Sequence, residues 1–310
     1  MTTTPDSDPD RTVLTFRTPE DVLAAVPVLL GFEPSESVVM LTFGGRETFH
    51  ARVDLPPPDE LDEALGLLLP PALAHGVTSV LLVVYSDRQH LARRMLSRLE
   101  ESLADAGIQV SFSLRADGAQ WFLPGSPGVP YDVRAHPFRV LSVLEGVVVS
   151  ASREELAARL DPTAGVTAVE EARERVSAYD ATEVVATVWR ALGRGRFGDE
   201  DLAGVLLGLR DRAVRDTAWC SMTRDDAPAH VALWTDAVQR SPEDLVAAPA
   251  AVLGLAAWLA GNGALAWCAV DRCVASDPDS SLARLVRELL DGAVPPSTWG
   301  HPYPGSVEAG

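Results

Sequence analysis

The chain has no lysine: all 26 basic residues are arginine, and Ile108 and Asn262 are its sole isoleucine and asparagine. Without an ε-amine there can be no Schiff-base lysine, pyridoxal-phosphate attachment, lysine-dependent phosphate loop or Ser-Lys dyad, because arginine is a permanently charged fork and not a titratable nucleophile. Cysteine is scarce as well. Cys220, Cys268 and Cys273 are odd in number and form no C-x-x-C pair, so they read as small buried apolar residues in a reducing compartment. No stretch offers about 18 uninterrupted apolar residues. The most apolar run, 245–260, contains Pro249 and breaks at Gly261-Asn262-Gly263, so no membrane span is expected. Residues 1–10 are acidic and polar and lack the basic and apolar parts of a secretion signal, which makes the cytoplasm the expected location.

Positive charge is also in deficit. The net charge of −18 divides evenly, with 13 arginines against 22 acids in residues 1–160 and the same in 161–310. Nucleic acids and anionic membranes draw affinity from cationic contacts, so neither is an expected partner. The six histidines show no H-x-x-x-H or H-x-x-E-H spacing, and Ser126 lacks the G-x-S-x-G elbow, so neither a zinc site nor a serine or cysteine hydrolase is indicated.

What is present points to a mixed fold. The run Val80 to Tyr85 has no polar face and reads as a strand buried on both sides, the expected centre of a parallel sheet. Before it come a short strand at 12–16 and a helix opened by Thr18-Pro19-Glu20-Asp21 and closed by Gly31. A hairpin then pairs 37–43 with 46–54 through Gly44-Gly45, and a helix from Asp59 is expected to break at Pro70-Pro71. After it, Ser86 with Gln89 forms an expected capping box for a helix that lines up Leu91, Met95, Leu99 and Leu103. A strand at 108–114 turns at Asp117-Gly118 into 120–122, and short helices follow at 138–145 and from Ser152 to Leu160. Beyond Asp161 to Gly165 the two-residue period gives way to helices at about 167–192, 199–220, 227–240, 242–260, 264–275 and 280–291, the fourth opened by Ser241-Pro242-Glu243-Asp244. Residues 247–280 resemble a single tetratricopeptide unit. The expected organisation is an acidic tail at 1–11, a mixed β-sheet with flanking helices (α+β or α/β) at 12–160, an all-helical domain at 161–300 and a tail at 301–310.

The order of segments carries a wider resemblance. Arg17 to Asp21, Leu29-Leu30-Gly31-Phe32-Glu33-Pro34, Val80 to Asp87, Arg212 to Asp216, Ala256 to Gly261 with Gly263 to Ala266, and Pro295-Pro296 before Trp299 together resemble the actinobacterial family catalogued as domain of unknown function 4192. The resemblance spans nearly the whole chain and implies a shared fold with no assigned activity. Members of that family often carry a cysteine-containing insertion after the aromatic hairpin. Here Trp121-Phe122-Leu123-Pro124 runs straight into a Gly/Pro loop, so no metal or disulfide role of such cysteines carries over.

Two functional readings follow. If the long strands run parallel, Asp54, Ser86, Asp87, Arg115 and Asp117 all lie at carboxyl ends, where open α/β sheets place ligands. Converging carboxylates there could hold a Mg²⁺ and act on a phosphorylated metabolite, although capping and turn formation also account for these residues. The leading reading is a non-enzymatic protein-binding or adaptor module. Its helical half engages a protein partner or a second copy, on the strength of the tetratricopeptide-like hairpin and the six tryptophans from Trp189 to Trp299.

Overall fold

The computed structural model describes residues 15–46, 48–144 and 146–299. Both expected tails and the first part of the 12–16 strand lie outside them, and Thr15 and Phe16 form no strand. Six strands make one mixed sheet in the order β2-β1-β3-β4-β5-β6. These are β1 (Ser37–Phe43), β2 (His50–Asp54), β3 (Ser79–Tyr85), β4 (Gln109–Ala116), β5 (Gln120–Phe122) and β6 (Val129–Pro130). The expected hairpins form, β1 with β2 and β4 with β5. The sheet is not a parallel one, however, because β1 inserts between β2 and β3 antiparallel to both, which leaves β3–β4 as the parallel pair among the described strands.

Helices cover both faces. The helices α2 (Leu61–Ala74) and α3 (Gln89–Asp105) bury Leu68, Met95 and Leu99 against Val38, Leu82 and Val84. On the other face α1 (Pro19–Leu30) sets Val22, Leu23 and Val26 against Val39, Val83 and Leu114. A second helix, α4 (Pro137–Leu144), packs beside α1. The start of α1 follows its sequence closely: Thr18 Oγ1 accepts the Asp21 N–H, the Asp21 carboxylate accepts the Thr18 N–H at 2.8 Å, and Gly31 closes the helix at φ 77°.

Several local expectations fail for physical reasons. The helix α2 runs through Pro70-Pro71, because the carbonyls those prolines leave unbonded belong to Gly66 and Leu67 on the exposed face, where water can take them. Ser86 forms no capping box; its Oγ accepts the Arg88 N–H at 3.0 Å in a tight turn before α3.

After α5 (Arg153–Ala158) the chain is helical. The expected 167–192 segment is two helices, α6 (Gly165–Arg173) and α7 (Ala181–Arg194), because Asp180 and Glu183 form a fresh capping box. Asp211 likewise divides α8 (Asp199–Gly208) from α9 (Arg212–Cys220) by accepting the N–H groups of Ala213 and Val214. Next come α10 (Ala227–Arg240), α11 (Ala247–Leu259), α12 (Gly263–Ser276) and α13 (Ser281–Asp291). Ser241 does not open α11; its hydroxyl donates to Ala237 O at 2.7 Å at the end of α10. Every residue from Pro249 to Leu259 is buried, with α9, α10, α12 and α13 around them. This apolar cluster also takes in Phe32, Leu156 and Leu160, so it reaches back past residue 161 to the loop after α1.

Candidate functional site

The insertion of β1 reverses direction twice, so β2, β3 and β4 point the same way and their carboxyl ends share one edge. Across that edge the register sets Asp54 opposite Ser37, Ser37 opposite Tyr85, and Tyr85 opposite Ala116. Asp54, Ser86, Asp87, Arg115 and Asp117 thus all lie along this edge, but the carboxylates are not brought together. With strands spaced about 4.8 Å apart, Asp54 on β2 and Asp117 after β4 stand roughly 14 Å apart across the sheet, far beyond joint coordination of one Mg²⁺. Each also has a local task. Asp54 is exposed and pairs with Arg52 at 2.7 Å. Asp117 Oδ1 accepts the N–H groups of Ala119 and Gln120 at 3.1 and 2.8 Å, which shapes the β4–β5 turn. Asp87 sits in the exposed bend after β3. Among the described residues no group of three or more His, Cys, Asp or Glu could hold a metal ion.

Arg115 is committed to structure. It is buried, its Nη1 donates to the Ser86 carbonyl at 2.9 Å, and its guanidinium lies 3.8 Å from the centre of the Phe122 ring.

On the α1/α4 face of the same edge lies a cluster that sequence reasoning missed. Tyr85 ends β3 among the residues that face α1, with Tyr131 packed against that group. Arg139, on α4, donates from Nη2 to Glu33, which follows Gly31-Phe32. Burial pushes the Tyr85 phenol well above its ordinary pKa, Tyr131 and Glu33 add to the rise, and Arg139 opposes it. Burial raises Tyr131 as well, with Asp117 and Glu33 contributing. Nearby, Trp121 Nε1 donates to Glu20 at 2.9 Å, and the His136 ring stands 3.1 Å from the Asp21 carboxylate. Burial alone would raise the Asp21 carboxyl, but the N–H groups of Arg17 and Thr18 hold it below its usual value. The available signal was a lone tyrosine closing an otherwise aliphatic strand.

A second feature is the outer face of α4. Val140, Leu141, Val143 and Leu144 are exposed, the last two at 71% and 77%, and Val147 and Val148 in the segment after the helix are exposed as well. Exposed apolar side chains gathered on one short helix are the raw material of an interaction site.

The family model described as Domain of unknown function (DUF4192) matches residues 19–297, from the first residue of α1 to the turn after α13. The chain belongs to this family. No curated protein and no solved structure matches it. Both the edge cluster and the α4 surface fall inside the DUF4192 match.

In the helical half of this DUF4192 chain, α11 and α12 pack as a hairpin, but the complete burial of Pro249 to Leu259 leaves no face of α11 for a partner. Trp234 and Trp258 are core residues, while Trp189 at 49% exposure is the most open of the six. Cys268 and Cys273 are buried as expected; Cys220, at the end of α9, is exposed. Among the described residues no helix is long and apolar enough to cross a membrane.

Proposed function

We propose that this protein is a non-enzymatic protein-binding module of the cytoplasm whose docking surface is the outer face of α4 and not the helical hairpin. One observation carries the reading: six apolar side chains, Val140, Leu141, Val143, Leu144, Val147 and Val148, stand exposed together on a short helix and the segment after it. Leaving a leucine or valine in water forgoes about 1.5–3 kcal/mol of burial, a cost that a docked partner recovers. Charge favours a partner over a second copy. Two chains of net charge −18 repel, whereas a cationic protein presenting an apolar face is drawn in and then held by the patch. The three cysteines, none of them in a disulfide, support a reducing location.

The test is affinity capture with the wild-type chain and with V143D/L144D as parallel baits. Both positions are exposed, so the double variant should melt within a degree or two of wild type. A partner retained by wild type, weakened by salt and lost on the variant supports the reading; identical capture by both baits defeats it. Concentration-dependent dimerisation of wild type, abolished by V143D/L144D, would make the occupant a second copy and overturn the charge argument.

A further inference from the structure

A cavity of about 290 Å³ opens on the helical half, between the outward face of α10, the residue that ends α5 and the first turn of α12. The spacing along α10 produces it. That helix turns Leu233, Trp234, Ala237 and Val238 into the apolar cluster, which leaves Pro228, Val231, Ala232, Thr235 and Gln239 on the opposite side. Ala232, near the middle of this row, offers only a methyl group, so α10 itself does not fill the trough. From Pro228 to Gln239 the row is about 16 Å long.

Its lining is sorted by polarity. Pro228, Val231 and Ala232, with Leu265 from α12, make an aliphatic floor toward the start of α10, and Thr235, Asp236, Gln239 and Arg159 stand toward its end. Gln239 Nε2 donates to the Arg159 carbonyl at 2.7 Å, which fixes the end of α5 against α10. Two opposite charges here are not used up by the fold. The Arg159 guanidinium is exposed and, among the described residues, has neither a hydrogen bond nor an ion pair. Asp236 Oδ2 accepts Arg240 Nη1 at 2.7 Å, but Oδ1 has only Arg196 Nε at 3.7 Å, beyond hydrogen-bond reach.

Other places carry less. The open notch beside the start of β4 has Glu100 as its one charged side chain, and that carboxylate already accepts the Ser113 hydroxyl at 2.6 Å. The unpartnered ring atoms of His230 and Trp234 are closed inside the helical core.

We propose that the α10 trough binds a free amino acid with a branched aliphatic side chain, its carboxylate on Arg159, its ammonium on Asp236 Oδ1 and its side chain over Val231 and Leu265. A guanidinium and a carboxylate make charge-assisted bonds with the two ends of a zwitterion. The volume stands at the lower end of small-molecule sites, which begin at about 300 Å³, and so suits a single residue rather than a peptide. The floor is aliphatic throughout, with no ring to stack on. Net charge favours the same class, since a chain at −18 repels an acid without an amine but not a zwitterion. The site shares no residue with the α4 docking surface and goes beyond the binding role proposed for it.

The experiment is calorimetric titration of the full chain with L-leucine, and with 4-methylpentanoate and isoamylamine, which lack the amine and the carboxylate respectively. L-Leucine is expected to bind saturably at one site, and each analogue at least tenfold more weakly. Arg159→Gln should weaken leucine at least tenfold, and Ala232→Trp, which fills the trough, should abolish binding. Both positions are exposed, so thermal midpoints close to wild type confirm that the variants fold. No saturable heat with leucine overturns the proposal. Equal binding of 4-methylpentanoate removes the role of Asp236 and overturns it, and unchanged affinity in either variant places the binding elsewhere and overturns it too. Loss of partner capture by V143D/L144D and loss of leucine binding by Arg159→Gln are separate results.

Discussion

Arg115 shows how a residue with a plausible chemical role can be explained by the fold. Its guanidinium is flat enough to lie on Phe122 while Nη1 reaches the Ser86 carbonyl, which ties the end of β4 to the turn after β3. Lysine has a charge but no plane, so Arg115→Lys should lower the free energy of unfolding by about 1–3 kcal/mol in urea melts. His50 makes a prediction in pH. The ring is half-buried on β2 with Nδ1 unbonded, and burial lowers its pKa to about 4. The folded chain therefore resists a proton that the unfolded chain accepts near the ordinary value of 6.5. The residue has no effect above that value; stability is lost as pH falls from there toward about 4, by at most about 3 kcal/mol, and then levels off. Urea melts of wild type and His50→Gln across this range should show the smaller pH-dependent loss in the variant. Neither effect could be read from the sequence, because both depend on which face of a strand is covered.

At the scale of elements, local chemistry predicts well wherever both partners lie within one turn. The Thr18 and Asp21 box and the Gly31 stop are such cases, and Thr18→Ala should cost about 1 kcal/mol, read as a lower thermal midpoint. The Asp117 turn is another, since its carboxylate meets two N–H groups at once. Local rules misled where a residue had an alternative. Ser86 satisfied a nearer amide, Ser241 turned back onto α10, and the prolines at 70 and 71 fell on a wet face that tolerates them. The existence of α4 is legible in its pattern. Its exposed outer face is not, because periodicity marks an apolar stripe without saying whether the fold covers it.

For the whole molecule, Phe32 is the residue to test. It follows α1, long before the helical half in sequence, yet it is buried in the apolar cluster of that half and lies 5.7 Å beneath Arg52 of β2. The Arg153 to Asp271 pair at 2.7 Å and the His75 ring against the Gly292 carbonyl at 3.0 Å also join the two halves. Phe32→Ala should cost about 3–5 kcal/mol. Its effect should appear in the unfolding transition followed by tryptophan fluorescence, since six of the seven tryptophans lie beyond residue 188. An unchanged fluorescence midpoint with a shifted far-ultraviolet transition would show that the halves unfold independently.

By itself the sequence determined the element types, the two hairpins, the buried central strand and the helical character of the second half, because propensity, turn chemistry and hydrophobic period act over a few residues. It also placed Asp54, Ser86, Asp87, Arg115 and Asp117 on one edge. Tertiary structure alone decided that β1 separates β2 from β3, which holds those carboxylates apart, and that the Tyr85 hydroxyl and Arg139 Nη1 are buried without a hydrogen-bond partner. The reason is physical: strand order and burial are settled by contacts between distant segments, and no local pattern encodes which distant segment arrives.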